Sequence, residues 1–121
     1  MKNRYKIGTD IVEVKRIERL LNLYNERFFD HIYTNKEVKW CKSRMHPSIH
    51  FAGRFAAKEA LKKALLSYGE DFISFKSIEI LRELNYPPYV NLNISNSHLY
   101  SCEISISHTS SYATAMAIIK K

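Results

Sequence analysis

Between about His50 and Leu66 the chain reads HFAGRFAAKEALKKALL. At helical spacing Gly53, Ala56, Ala57, Ala60 and Ala64 gather on one side, bordered by Leu61 and Leu65. Such a face has no bulky side chain to hold a neighbour away, so a sheet or a second helix can approach its backbone closely. The alanines favour helix, and Gly69 marks where it stops. The other side of the same helix is charged: Arg54, Lys58 and Lys62 follow at i, i+4, with Glu59 and Lys63 beside them, while Phe51 and Phe55 interrupt the charges.

The remaining pattern places strands and shorter helices around this element. Tyr5 to Val12 alternates as a short strand with a carboxylate, Asp10, near its end. From Glu13, the residues Val14, Ile17, Leu20, Leu21 and Tyr24 recur at helical spacing. Thr34 followed by Glu37 has capping-box spacing, which predicts a helix starting at Asn35 and ending before Pro47. After Gly69 the period becomes two: Ile78 and Ile80, a turn at Asn85 to Pro88, then Val90, Leu92 and Ile94 predict one hairpin. Ile104 and Ile106, the turn His108 to Ser111, and Ala113, Ala115 and Ala117 predict another.

The length of 121 residues suits one domain with one core, 1–121. Hydrophobic residues at 45% and charged residues at 26% are the balance of a folded globular chain. No apolar run approaches the ~20 residues that span a bilayer, and MKNRYKIGTD reaches Gly8 and Asp10 too soon for a signal-peptide core; the expectation is a cytoplasmic protein without a membrane partner. Cys41 and Cys102 have no CxxC partner and read as buried thiols. A net charge of +7 implies an anionic partner: nucleic acid, a phosphorylated metabolite, an acidic protein or a membrane surface.

Two readings compete for the charged side of the helix. As a solvated face, Glu59 and Lys63 contribute about 0.2 to 0.5 kcal/mol as an i, i+4 pair. As a partly covered face, which Phe51 and Phe55 favour, its cations need an anion, and a phosphate-rich ligand supplies one. Asp10 likewise reads either as a helix N-cap, because Asp10 to Glu13 has the spacing, or as a carboxylate that joins Glu59 around one hard cation. Mg2+ suits the second arrangement: one or two carboxylates, retained waters and phosphate oxygens. His108 opens a Thr-Ser-Ser turn whose amides and hydroxyls can hold phosphate oxygens, whereas His31, His46, His50 and His98 read as structural or exposed. Ser105, Ser107 and His108 do not form a nucleophilic triad.

Taken together, Gly8-Thr-Asp10-Ile-Val, Phe55-Ala-Ala-Lys58-Glu59-Ala-Leu-Lys-Lys63-Ala and Ile106-Ser-His108-Thr resemble the small bacterial holo-acyl-carrier-protein synthases of the phosphopantetheinyl transferase superfamily. Tyr33-Thr34 with Glu37, Phe51-Ala-Gly-Arg54 and Ser74 to Ile80 extend the likeness over nearly the whole chain; where the family usually has a glycine before the hairpin proline, this chain has Tyr86-Pro87-Pro88. The resemblance implies an α+β fold of long helices packed on a small, largely antiparallel sheet, assembled as a homotrimer with coenzyme A in clefts between subunits. It implies transfer of 4′-phosphopantetheine from coenzyme A to a serine of apo acyl carrier protein, with release of 3′,5′-ADP, for fatty acid biosynthesis. Asp10 and Glu59 would hold Mg2+, with Glu59 also the candidate general base. Lys63 would contact the pyrophosphate and assist the leaving group, Arg54 and Lys58 would bind phosphates of the adenosine half, and His108 and Thr109 of an adjacent subunit would complete the cleft. Arg16 and Arg19 would meet the acidic carrier protein. The alternatives are a small basic nucleic-acid-binding module and an inactive relative that keeps the trimer without the transfer.

Overall fold

A computed structural model describes residues 4–121 of the chain; the first three residues of the N-terminal stretch weighed above lie outside it. The order is β1 (Tyr5–Glu13), α1 (Val14–Tyr24), α2 (Glu26–Ile32), α3 (Asn35–Lys42), α4 (Pro47–Leu66), β2 (Ile78–Leu81), β3 (Tyr89–Leu92), β4 (Ser101–His108) and β5 (Tyr112–Lys120). Two antiparallel sheets result: a three-stranded one in the order β1-β5-β4, and the hairpin β2-β3. This is the expected α+β arrangement.

The small face of α4 does what its composition allows. It lies across β1, β5 and β4, with Ala52, Ala56, Ala57, Ala60 and Ala64 fully buried against Ala113, Ala115, Ala117 and Ile119 of the central strand. The tightest approach is at Gly8, where a Cβ would sit 1.9 Å from the carbonyl oxygen of Ala60; only a residue with no side chain permits this crossing. On β1 the alternation sends Gly8 and Val12 inward and half-buries Asp10 on the same side, while Ile7 and Ile11 face outward.

One buried carboxylate joins the helices to the hairpin. Glu37 closes the expected capping box with Thr34 at the start of α3. Its Oε1 also accepts from Lys58 Nζ at 2.8 Å, and its Oε2 accepts from the Ile80 amide of β2 at 2.9 Å. Thr34 Oγ1 donates to Glu79 at 2.6 Å, and Asn91 of β3 donates to the same carboxylate at 3.1 Å.

The elements depart from the sequence pattern in four places. β1 runs to Glu13, so Asp10 is a strand residue and not an N-cap; Glu13 occupies the cap position without a side-chain bond. α2 interrupts what the pattern leaves as a connection: Asn25 takes a positive φ of 48° and starts a seven-residue helix that buries Phe29 and Ile32. α4 begins at Pro47, whose fixed φ and missing N–H suit the first turn of a helix, and not at His50. Ile94 falls beyond the end of β3. In the β2–β3 turn the left-handed position is taken by Asn85, φ 67°, which tolerates it better than most residues.

Candidate active site

Asp10 and Lys63 meet where β1 crosses α4. Lys63 Nζ donates to the Thr9 carbonyl at 2.8 Å and lies 3.4 Å from Asp10 Oδ1, with both side chains reachable from solvent. Thr114 of β5 donates to the Asp10 carbonyl at 2.9 Å and fixes the strand there. Glu59 is one helical turn before Lys63, next to the Ala60 carbonyl that Gly8 touches. It lines a cavity of about 260 Å³ with Lys62, Lys63, Leu66, Asp71 and Phe72. Asp10 being in a strand removes the capping explanation for its carboxylate. Lys63 pairs with Asp10 and not with Glu59, so the i, i+4 surface pair is not what holds this part of the helix.

Among the described residues, no group of three or more His, Cys, Asp and Glu side chains is placed to hold a metal ion. The two carboxylates that the resemblance assigns to a cation, Asp10 and Glu59, lie on the two elements that cross here, and the rest of a shell would come from water and substrate. This hard, all-oxygen and incomplete donor set fits Mg2+, which dehydrates reluctantly and favours substrate phosphates.

Lys58 overturns an expectation. Its side chain is wholly buried, and its ammonium is paired with Glu37 while also donating to the carbonyls of Phe75 at 2.9 Å and Ile78 at 2.5 Å. All three N–H donors are spent inside the protein, so Lys58 is not free to bind a phosphate. The anion that compensates it is a carboxylate of the same chain. Burial lowers its pKa, against the pull of Glu37.

Arg54 is the opposite case. It is 4% exposed, and its Nε and Nη2 are buried with no hydrogen-bond partner. Its guanidinium lies 3.9 Å from the centroid of the Trp40 ring, against which Arg44 also packs at 4.3 Å. Burial depresses its pKa. It lines a cavity of about 420 Å³ with Lys36, Lys39, Trp40, Arg82 and Tyr89, and a smaller one of about 90 Å³ with His50, Arg82 and His108. An unpaired, buried guanidinium among further cations is a site short of an anion.

The fold thus brings Arg54 and His108 together, and Arg54 lies nine residues of α4, about 13.5 Å of helix axis, from Lys63. Thr109 holds the β4–β5 turn: its Oγ1 accepts from the Ser111 and Tyr112 amides at 3.1 Å, leaving its own O–H as a donor. Those two amides are consequently taken by the turn. Arg16 and Arg19 project from α1 into solvent, Arg19 at 4.0 Å from Glu13. Trp40, His50 and Arg82 line the anion-seeking cavities without having been expected there. For His50 the signal existed in its i, i+4 spacing to Arg54; for Trp40 and Arg82 the packing of α3 and the hairpin on α4 had to be known.

The family model for the 4′-phosphopantetheinyl transferase superfamily matches residues 6–117. The holo-[acyl-carrier-protein] synthase of Protochlamydia amoebophila (strain UWE25) is 42% identical over 115 residues, covering 93% of this chain and 94% of that one. Among solved structures, the Helicobacter pylori holo-[acyl-carrier-protein] synthase in complex with coenzyme A superposes with a TM-score of 0.82 at 31% identity, covering 94% of this chain and 99% of that one. The Bacillus anthracis str. Ames synthase in complex with CoA (3′,5′-ADP) gives 0.79 at 31% identity, over 95% of both chains. The small-residue crossing of β1 on α4, the Asp10–Lys63 contact at that crossing and these matches along nearly the whole length agree: the chain belongs to the 4′-phosphopantetheinyl transferase superfamily, among the holo-[acyl-carrier-protein] synthases.

Proposed function

We propose that this chain transfers the 4′-phosphopantetheine group of coenzyme A to a serine hydroxyl of an apo acyl carrier protein, releasing 3′,5′-ADP, in fatty acid biosynthesis. The observation that carries the reading is the crossing of β1 and α4, where Asp10 meets Lys63 with Glu59 one helical turn before it, in a member of this family. The serine oxygen forms a bond to the phosphorus that bears pantetheine, and the pyrophosphate bond to the 3′,5′-ADP oxygen breaks. Reactions of this kind demand in-line positioning and neutralisation of spreading negative charge more than covalent chemistry by the protein.

Each side chain answers one of those demands. Glu59 accepts the serine proton, and Lys63, held by Asp10 and the Thr9 carbonyl, donates to the pyrophosphate and steadies the departing oxygen. Asp10 and Glu59 would hold Mg2+, which supplies Lewis-acid charge neutralisation when bound. Arg54 gives its unpaired Nε and Nη2 to phosphate on the adenosine half, with His108 beside it and the Thr109 hydroxyl next along the chain. Arg16 and Arg19 on α1 offer cations to an acidic carrier.

The separation of Arg54 from Lys63 along α4 favours a site completed between subunits, and the outward face of the sheet offers a surface for assembly. Ile7, Ile11, Tyr112, Met116 and Ile118 stand together there, exposed by 41% to 66%. A homotrimer of single-domain subunits, each lending its Arg54, His108 and Thr109 to a neighbour's Asp10, Glu59 and Lys63, accounts for both. We place the reaction in the cytoplasm. Separately, among the described residues no helix is long and apolar enough to cross a membrane.

The nucleic-acid alternative drew on the net charge of +7 and a folded basic face; of the cations on α4, Lys58 is internal and Arg54 is buried rather than ranged along a surface. Chromatographic detection of 3′,5′-ADP tests the proposal: wild-type chain with Mg2+, coenzyme A and apo carrier should release it, and Glu59→Gln should lose most of the turnover. Equal release by the Glu59→Gln variant would remove Glu59 from its role.

A further inference from the structure

The small cavity beside Arg54 has a second wall that the reaction as described does not use. His50 lies one helical turn before Arg54 on α4 and lines that cavity with Arg54, Arg82 and His108. Its ring is held edge-on by two others, Trp40 at 5.1 Å and 84° and His108 at 5.8 Å and 74°. Among the described residues neither imidazole nitrogen has a hydrogen-bond partner, so the ring is positioned by packing while its polar atoms remain unclaimed.

The groups that face His50 come from every element around it. Arg54 is on its own helix, Arg44 on the connection before α4, His108 at the end of β4, and Arg82 just after β2; among the described residues lining these cavities Glu83 is the one carboxylate, beside Arg44, His50 and Arg82. Burial first, and then Arg54, His108, Arg44 and Arg82, push the His50 pKa down to about 4, so the ring is neutral in the free protein at neutral pH. An anion seated on Arg54 weakens that field. It cancels the guanidinium charge and offers an acceptor to an imidazolium N–H.

We propose that His50 is a further phosphate-binding residue of this site, and that anion binding beside Arg54 is accompanied by uptake of one proton from solvent onto its imidazole. This rests on the reading of the Arg54 cavity as a phosphate-binding part of the coenzyme A site. The pKa is low in the free state and higher in the complex. Affinity therefore rises as pH falls through the bound-state pKa, by up to about tenfold per pH unit, and levels off below the free-state value near 4.

The direct test is a side-chain NMR titration of all histidines of the wild-type protein, with and without saturating 3′,5′-ADP. The proposal expects His50 to titrate near 4 alone and at least about one unit higher with the nucleotide. A calorimetric comparison follows: near pH 5, His50→Gln should bind 3′,5′-ADP with less proton uptake than wild type, by about 0.4 of a proton for a one-unit rise and approaching one for a larger rise, and with a shallower pH dependence. If 3′,5′-ADP perturbs His108 while His50 titrates unchanged, the phosphate site stands and the role of His50 falls. Proton uptake identical in His50→Gln and wild type would likewise overturn it. If the nucleotide perturbs neither histidine, the phosphate reading of the cavity fails and this proposal fails with it.

Discussion

Two lysines of one helix, five residues apart, have opposite fates. Lys58 is fully enclosed and spends its charge on Glu37, whereas Lys63 is half exposed beside Asp10. The charged side of α4 was legible in the sequence, including that Phe51 and Phe55 would cover part of it. What could not be read was which anion neutralises which cation, because Glu37 and Lys58 meet only when α3 packs on α4. Removing one partner of a buried pair leaves the other charge uncompensated, a loss of about 3–5 kcal/mol. Glu37→Ala should therefore lower the unfolding free energy by that order in urea denaturation. A loss below about 1 kcal/mol would mean that Lys58 is not held as described. Arg54 differs in needing a ligand: Arg54→Gln should raise KM for coenzyme A more than it lowers kcat, whereas an equal fall in kcat with KM unchanged would assign it elsewhere.

At the scale of elements, the strand and the helix that build the site are coupled by an absence of atoms. A methyl group at position 8 would strike the Ala60 backbone carbonyl, which cannot move aside as a flexible side chain could. Gly8→Ala should force β1 off α4 at the point that aims Asp10 at Lys63. The expected result is a loss of about 1–3 kcal/mol or more in thermal or urea unfolding, together with a larger fall in turnover than stability explains. Gly69→Ala is the control, since its φ of +88° carries strain but open space surrounds it, and it should cost stability while leaving turnover near wild type. The alanines of α4 and the alternation of β4 and β5 were strong enough to read without a structure. α2 was not: its seven residues are too few for a clear helical period, and what stabilises it is tertiary, the Phe29 ring packing at a tilt 5.1 Å from that of Phe51 of α4.

For the whole molecule, the sheet is the decisive surface. One face is closed by α4; the other carries the apolar set of Ile7, Ile11, Tyr112, Met116 and Ile118 to solvent, more than scattered surface exposure explains. Sedimentation should find a particle of three times the 14.2 kDa chain mass. Ile7→Glu with Met116→Glu should give a folded monomer with little activity, because Arg54 and His108 would lose the neighbour's Lys63. A fully active monomer would place the whole site within one chain. Asp10, Glu59 and Lys63 could be gathered by family resemblance before the fold was known. His50 could not, because its significance lies in Arg44, Arg54, Arg82 and His108, which four separate segments bring around it. The central claim is the transfer itself, and intact-mass spectrometry reads it most directly. An apo acyl carrier protein incubated with the purified chain, coenzyme A and Mg2+ should gain the mass of one phosphopantetheine group, and a carrier whose acceptor serine is changed to alanine should gain none. No mass gain across several apo carriers would contradict the account.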